Sequence, residues 1–121
     1  MAKRETKNLD DRIDLAVGSI DLLDGPHGRL GEPDTSHCIA EIGEVGSGGY
    51  DLFFLNAVNM AWSEKHLSRS ESGFQDGFLV VDKIDETAIQ SELLKQINGA
   101  EFITFEDFVR AFQGKLRWEF A

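Results

Sequence analysis

The sequence predicts an α+β fold, in which an antiparallel or mixed β-sheet has two to three helices packed against it. Short apolar segments with a two-residue period fill the first part of the chain, and segments with helical spacing follow them. Strands that precede helices in this way favour α+β over an alternating α/β arrangement. Nine phenylalanines and two tryptophans among 121 residues supply the large apolar side chains that a compact core needs.

The domain organisation is simple. Residues 1–11 are polar and lack periodicity, so we predict a flexible N-terminal tail. Residues 12–121 are of the length and composition of a single α+β domain. Neither an internal repeat nor a low-complexity tract interrupts them.

Two alternating segments predict the first strands. "IDLAVGSI", which begins at Ile13, has the half-buried pattern of a strand, and residues 24–34, with three glycines and both prolines, predict a loop long enough to carry a binding surface. "HCIAEIGEV" predicts the second strand. One face of that strand is expected to carry Cys38, Ala40 and Ile42, and the other His37, Ile39 and Glu41.

A glycine-rich stretch, residues 43–49, precedes the strongly apolar segment "YDLFFLNAV". It does not fit a phosphate-binding loop, because no lysine follows the glycines and the next segment is a strand rather than a helix. Glycines that adopt positive φ in a hairpin loop explain the same residues. "YDLFFLNAV" is apolar on both faces and therefore predicts a central strand.

The remaining elements are marked by caps and stops. A short helix is predicted after Asn59 as its N-cap, a polar loop from Ser68 to Asp76, and a strand at "GFLVV". "DETAIQSELLKQING" predicts the longest helix, capped by Asp85, with Ile84 packing on Ile89 and a stop at Asn98-Gly99. "ITFEDFVRAFQG" repeats this pattern, with Thr104 and Asp107 as a capping box and Gly114 at the end. "LRWEF" predicts a final strand with Leu116, Trp118 and Phe120 on alternating positions.

The charge balance restricts the class of partner. Twelve Lys and Arg stand against twenty-two Asp and Glu, so the formal net charge is −10. Such a field repels nucleic acid and anionic membranes and accelerates encounter with basic partners. The single cysteine, the lack of an apolar segment after the first basic residues and the lack of a spanning segment predict a cytoplasmic protein.

No residue pattern predicts catalysis, a metal site or a cofactor. His37 and Cys38 are adjacent on a strand, so their side chains point to opposite faces and cannot act as a base and a nucleophile. Asp85 and Asp107 stand at helix starts, where negative charge is favoured for structural reasons. We therefore predict a binding protein rather than an enzyme.

Three segments, "DLFFLNAVNMAW", "GFLVVDKIDETAI" and "LRWEF", resemble the immunity protein 8 family of bacterial polymorphic toxin systems. The resemblance extends over residues 13–120, and Asn59-Met60 stands where the family tends to have Thr-Pro, which leaves the helix cap intact. The family's motif positions are occupied here by Trp62, by Phe78–Val81 with Ile84, Asp85 and Ile89, and by Trp118 and Glu119.

The resemblance implies a protein that neutralises a cognate toxin domain, often in contact-dependent growth inhibition or related secretion systems. The acidic charge agrees with a toxin that has a basic surface, such as a nuclease. The alternatives are a small metal-dependent hydrolase or transferase, and an acidic regulatory subunit. The candidate toxin-binding residues are the carboxylates expected at strand ends and loops: Glu32, Asp34, Glu41, Glu44, Asp51, Glu71 and Asp76.

Overall fold

The computed structural model describes residues 12–24, 32–68 and 71–121. Within these ranges the chain forms six strands and three helices, which confirms the α+β prediction. In chain order they are β1 Leu15–Leu22, β2 Thr35–Glu44, β3 Asp51–Asn59, α1 Met60–His66, β4 Gly73–Gln75, β5 Phe78–Val81, α2 Glu86–Asn98, α3 Phe105–Ala111 and β6 Arg117–Trp118. Three predicted segments lie wholly or partly outside the described residues: the tail, residues 1–11, residues 25–31 of the first loop, and residues 69–70 of the polar loop after α1. The single-domain organisation stays a prediction.

β3 is the central strand, as its apolar residues on both faces predicted. The sheet has the order β1-β2-β3-β5-β4, and β6 also pairs with β3. β2 lies antiparallel along one edge of β3, with Thr35 opposite Val58. The other edge is divided, because β6 pairs with Phe53 and Phe54 and the parallel strand β5 pairs from Asn56 onward.

The two faces of the sheet are covered differently. On one face, Ala40, Phe53 and Leu79 share a core with Leu93 of α2 and Phe108 of α3. α1 lies on the opposite face, where the Trp62 ring packs 5.0 Å from the ring of Phe78 and the neighbouring strand residues Val58 and Val80 are buried. The short helix therefore covers only the β5 side of its face.

Phe108 is the centre of the aromatic part of the core. Its ring, which is inaccessible to solvent, lies 5.4 Å from Phe53, 5.6 Å from Phe102 and 5.0 Å from Phe112 between centroids. Tilted and edge-to-face pairs at these distances add to the apolar burial of each ring. They join α3 to β3 and to the segment that precedes the helix.

The helix starts follow the predicted caps. The Asn59 side chain accepts a hydrogen bond from the Trp62 amide at 2.9 Å, and Asp85 accepts one from the Ala88 amide at 2.7 Å. At α3 the Thr104 and Asp107 side chains each accept from the other's backbone N–H at 3.1 Å, so the predicted capping box is present. All three caps satisfy amides that the first helical turn leaves without an internal partner.

The predicted hairpin between β2 and β3 is confirmed, and its glycines serve the turn. Gly46 and Gly48 have φ of 88° and 85°, backbone angles that residues other than glycine rarely adopt. β4 was missed, because its three residues fall inside the segment predicted as a polar loop. Asp76 and Gly77 have φ of 51° and 88°, as a two-residue type I′ turn requires, and join β4 to β5.

One predicted end is confirmed and two need correction. α2 stops at Asn98 as predicted, but Gly99 has φ of −75° and stops it without a left-handed residue. α3 ends at Ala111, three residues before Gly114, because the chain turns there to bring Leu116 into the core. The predicted final strand is shortened to two residues, since the chain turns again after Trp118, and Phe120 is 66% exposed rather than packed on the sheet.

Cys38 and His37 point to opposite faces of β2, as predicted. Cys38 is 1% exposed in the core, whereas the His37 side chain is exposed and faces Asp24. Burial raises the pKa of the Cys38 thiol from 9.0 to about 11. The thiol is therefore a small core side chain and not a nucleophile at neutral pH.

Replacing Phe108 with alanine is expected to lower the free energy of unfolding by about 3–5 kcal/mol, because it leaves a cavity among the rings of Phe53, Phe102, Phe105 and Phe112. The matched control is Phe120→Ala, which removes the same atoms from an exposed position and is expected to change stability by less than about 0.5 kcal/mol. Urea denaturation of both variants measures the difference. Equal losses would contradict the assignment of Phe108 to the core and Phe120 to the surface.

The raised pKa of Cys38 predicts a loss of stability in alkali. The folded thiol stays neutral to about pH 11 while the unfolded thiol ionises near 9.0, so its contribution is complete below pH 9.0 and disappears as the pH rises through about 11. Between these limits the wild type is expected to lose about 1–3 kcal/mol more than Cys38→Ala in the free energy of unfolding. Parallel pH curves for the two proteins would contradict this prediction.

Candidate functional site

The hairpin end of the sheet combines carboxylates with exposed apolar side chains. We define the hairpin surface as Glu44, Val45, Tyr50, Asp51 and Phe120. Val45 is 60% exposed, Tyr50 50% and Phe120 66%, so three of the four large apolar side chains exposed in the described ranges lie here. Large apolar side chains grouped at one surface, with charged neighbours, are typical of protein-binding sites.

Two glycines fix the position of the Tyr50 ring. A Cβ atom on Gly43 would lie 3.1 Å from Tyr50 Cδ1, and one on Gly18 would lie 3.2 Å from Tyr50 Cζ. The ring therefore packs against the backbones of β2 and β1, where larger residues would leave it no room. One side of Tyr50 is held by the sheet, and the other remains available to a partner.

The last residues of the chain are tied to the start of β3. The Glu119 amide donates to the Leu52 oxygen at 2.9 Å, and the Leu52 amide donates to Glu119 Oε2 at 2.7 Å. The Trp118 indole N–H donates to Asp51 Oδ2 at 2.9 Å. Phe120 packs edge-on against the Trp118 ring at 5.1 Å between centroids, so these bonds place it beside the hairpin.

A small cleft of about 300 Å³ opens at the same end of the sheet. It is lined by Ile42, Gly43, Glu44, Ser47, Gly49, Tyr50, Asp51 and Phe105. Two predicted binding residues, Glu44 and Asp51, thus share one cleft, and among the described residues no lysine or arginine lines it. The cation on the adjoining segment, Arg12, is already paired with Glu101.

Glu41 lies close to the hairpin but has a structural role. Its Oε1 accepts hydrogen bonds from the Ser19 amide at 3.1 Å and the Ser19 hydroxyl at 2.9 Å. These bonds span the irregular part of β1 between Val17 and Ile20, where the register with β2 shifts. The Glu41 carboxylate is therefore engaged within the sheet.

Glu32 and Asp34 lie at the opposite end of the strands, where the Asn59 side chain joins three segments. Asn59 Nδ2 donates to the backbone carbonyl oxygen of Glu32 at 2.7 Å. Asn59 Oδ1 accepts from the backbone amide of Asp34 at 3.0 Å in addition to capping α1. Asn59 is 4% exposed, so this amide is part of the structural core of that end.

Glu71 and Asp76 flank β4. Glu71 is exposed, and its backbone oxygen accepts from Gln75 Nε2 at 2.5 Å, while Asp76 occupies the β4–β5 turn. The seven predicted carboxylates therefore do not form one surface: Glu44 and Asp51 share the cleft, and Glu32 and Asp34 lie together at the opposite end. The sequence analysis did not predict the apolar members of the hairpin surface. Val45 and Tyr50 stand on either side of the glycines of the loop, and large apolar residues in a turn indicate exposed side chains that can bind a partner.

The described residues also limit the other classes of site. Across residues 12–24, 32–68 and 71–121, no three or more His, Cys, Asp or Glu side chains are grouped so that they can hold a metal ion. None of the helices in these ranges is long and apolar enough to span a membrane.

The comparison with known proteins identifies the family. The model of the immunity protein 8 family matches residues 32–121, about three quarters of the chain, which includes every element from β2 to β6. Neither a curated protein nor a solved structure matches the chain. Immunity proteins of this kind act against polymorphic toxins and are in general not enzymes. The resemblance read from the strand and helix segments is thereby confirmed, and the chain belongs to the immunity protein 8 family.

Proposed function

We propose that the chain neutralises a cognate toxin domain by binding it through the hairpin surface, and that this toxin is a nuclease with a basic substrate cleft. The observation that carries the proposal is the cleft that Tyr50 shares with the carboxylates of Glu44 and Asp51, with Val45 and Phe120 at least half exposed at the same end of the sheet. No catalytic group and no cofactor is needed for such a function, because occlusion by a bound protein is sufficient.

The apolar side chains supply the affinity in this proposal. Binding energy at protein interfaces is concentrated in a few large side chains that lose all contact with water, and aromatic residues are enriched among them. Tyr50 is already held against Gly43 and Gly18, and Phe120 against Trp118, so little side-chain freedom remains to be lost on binding. Such preorganised rings suit a tight inhibitor.

In this proposal the charges increase the association rate and select a basic partner. A nuclease binds phosphates through lysine and arginine side chains, and a chain of net charge −10 is drawn toward such a cleft over a range set by the salt concentration. Glu44 and Asp51, with the exposed Glu119 nearby, then present carboxylates where phosphates bind. The cytoplasm, where an immunity protein meets its toxin, is the proposed compartment.

The remaining predicted carboxylates have a subordinate place in the proposal. Glu32, Asp34, Glu71 and Asp76 lie away from the hairpin surface and can contact a toxin only if the interface is large. Glu41 acts through the β1–β2 register rather than by touching the partner.

The association rate with the toxin domain encoded beside this chain's gene is expected to depend strongly on salt. Raising the ionic strength from about 0.05 to about 0.5 M should reduce the rate constant at least about tenfold while the dissociation rate changes little, because screening acts on the encounter. Stopped-flow mixing measures both rates. An association rate that is indifferent to salt would contradict a basic target surface.

Truncation of the aromatic anchors is expected to weaken the complex. Tyr50→Ala and Phe120→Ala should each cost about 2 kcal/mol or more in binding, and Glu44→Gln should mainly slow association, by about two- to fivefold. The matched control is Glu64→Gln, an exposed carboxylate on α1. Calorimetric titration of folded variants, checked by thermal melting, measures the effect, and a Tyr50→Ala, Phe120→Ala double variant with full affinity would rule out the hairpin surface.

A further inference from the structure

A second, larger groove of about 930 Å³ lies where β3 changes partner. β6 pairs with β3 as far as Phe54 and β5 begins to pair at Asn56, so Leu55 lies between the two strands at the bottom of the groove. The β4–β5 turn at Gly77 and the turn that follows α3 at Gly114 border it. No residue of the hairpin surface lines this groove.

The groove differs in charge from the rest of this acidic chain. Twenty-two of the 121 residues are Asp or Glu, yet among the described residues none of them lines the groove, whereas His37, Lys115 and Arg117 do. Asp24, which follows the lining residue Leu23, accepts a hydrogen bond from the His37 amide at 2.9 Å and faces the His37 ring. The acidic hairpin surface and this cationic groove therefore differ in charge and share no lining residue, and they adjoin at Trp118, which lines the groove and donates to Asp51.

The two cations of the groove are held in place by aromatic rings. The Arg117 guanidinium lies 4.7 Å from the centroid of Phe54, and Lys115 Nζ lies 5.4 Å from that of Phe112 and 5.9 Å from that of Phe74. Within the described ranges neither cation forms a salt bridge. Stacking of this kind restrains each cation. Phe54 points away from the core that contains Phe53 and Phe112, so the two cations border the groove from different sides of the sheet.

The rest of the lining is mostly apolar, with Asn56 and Gln113 as its polar side chains among the described residues. Phe54, Leu55, Val109 and Leu116 supply most of it, and Leu23, which is 54% exposed, stands at the rim. A volume of this size accommodates two or three side chains of a peptide. An apolar floor with cations at its edge selects a ligand that carries both apolar and acidic groups.

We infer that this groove binds an extended segment of a protein partner in which carboxylates flank a large apolar side chain. The apolar side chain occupies the space above Leu55, and the carboxylates bind Arg117 and Lys115. The inference does not depend on the proposed toxin contact, since it concerns different residues and the opposite charge.

Selection from a phage library of random peptides about twelve residues long tests the inference with the whole chain as bait. The recovered peptides are expected to carry Asp or Glu beside Phe, Leu or Trp, and to shift the amide resonances of Leu55, Asn56 and Leu116 in the labelled protein. Lys115→Glu and Arg117→Glu are expected to weaken such a peptide about tenfold or more, whereas Lys95→Glu, an exposed cation on α2, changes its Kd less than about twofold.

Arg117→Gln keeps much of the side-chain stem over Phe54 and serves as the second variant if charge reversal lowers the melting temperature. The inference is overturned if the selected peptides are basic, if their resonance shifts map to Glu44 and Tyr50, if no peptide is enriched, or if the groove variants bind as the wild type does. Tyr50→Ala is expected to retain the peptide, so failure of the toxin proposal and failure of this one give different results.

Discussion

The divided edge of β3 is the constraint on which both candidate surfaces depend. β5 occupies only the second half of that edge, and β6 must return from α3 to pair with Phe53 and Phe54. This return draws Glu119 and Phe120 to the hairpin end, where Glu119 closes two hydrogen bonds with Leu52. It also sets Lys115 and Arg117 along the gap at Leu55. The pairing of β6 with β3 thus positions residues of both the acidic surface and the cationic groove.

The rigidity of the hairpin end comes from backbone contacts rather than from side-chain burial. Tyr50 packs on two glycines, the loop that precedes it turns at Gly46 and Gly48, and the Val45 amide donates to the Asp14 oxygen at 2.8 Å. These contacts leave the outer sides of Val45 and Tyr50 exposed without leaving them free to move. Exposed apolar residues promote aggregation, and the net charge of −10 opposes it by repulsion between copies.

Local signals made the helices and the central strand predictable from the sequence. Asn59, Asp85 and Thr104 act within three residues of themselves, so the caps can be read without knowledge of the fold, and the two-sided apolar pattern of β3 reflects its position directly. The Asp76-Gly77 turn carried a similar signal that would have revealed β4. Features that depend on contacts between distant segments could not be predicted in this way. The Glu41–Ser19 bonds depend on the irregular register of β1, and the exposure of Phe120 depends on where β6 ends.

The family's motif positions and the proposed binding surfaces share only Trp118, which lines the groove, and Glu119, which lies beside the hairpin surface. Leu79, Ile84 and Ile89 are buried, Asp85 caps α2, and Trp62 packs on Phe78, so the positions that carry the resemblance determine the fold. The hairpin surface contributes little to that core, since its apolar members are at least half exposed. A change at Tyr50 or Phe120 can therefore alter a partner contact without altering the sheet. In this chain the residues that stabilise the core are therefore largely distinct from those proposed for recognition, so different substitutions change the two properties.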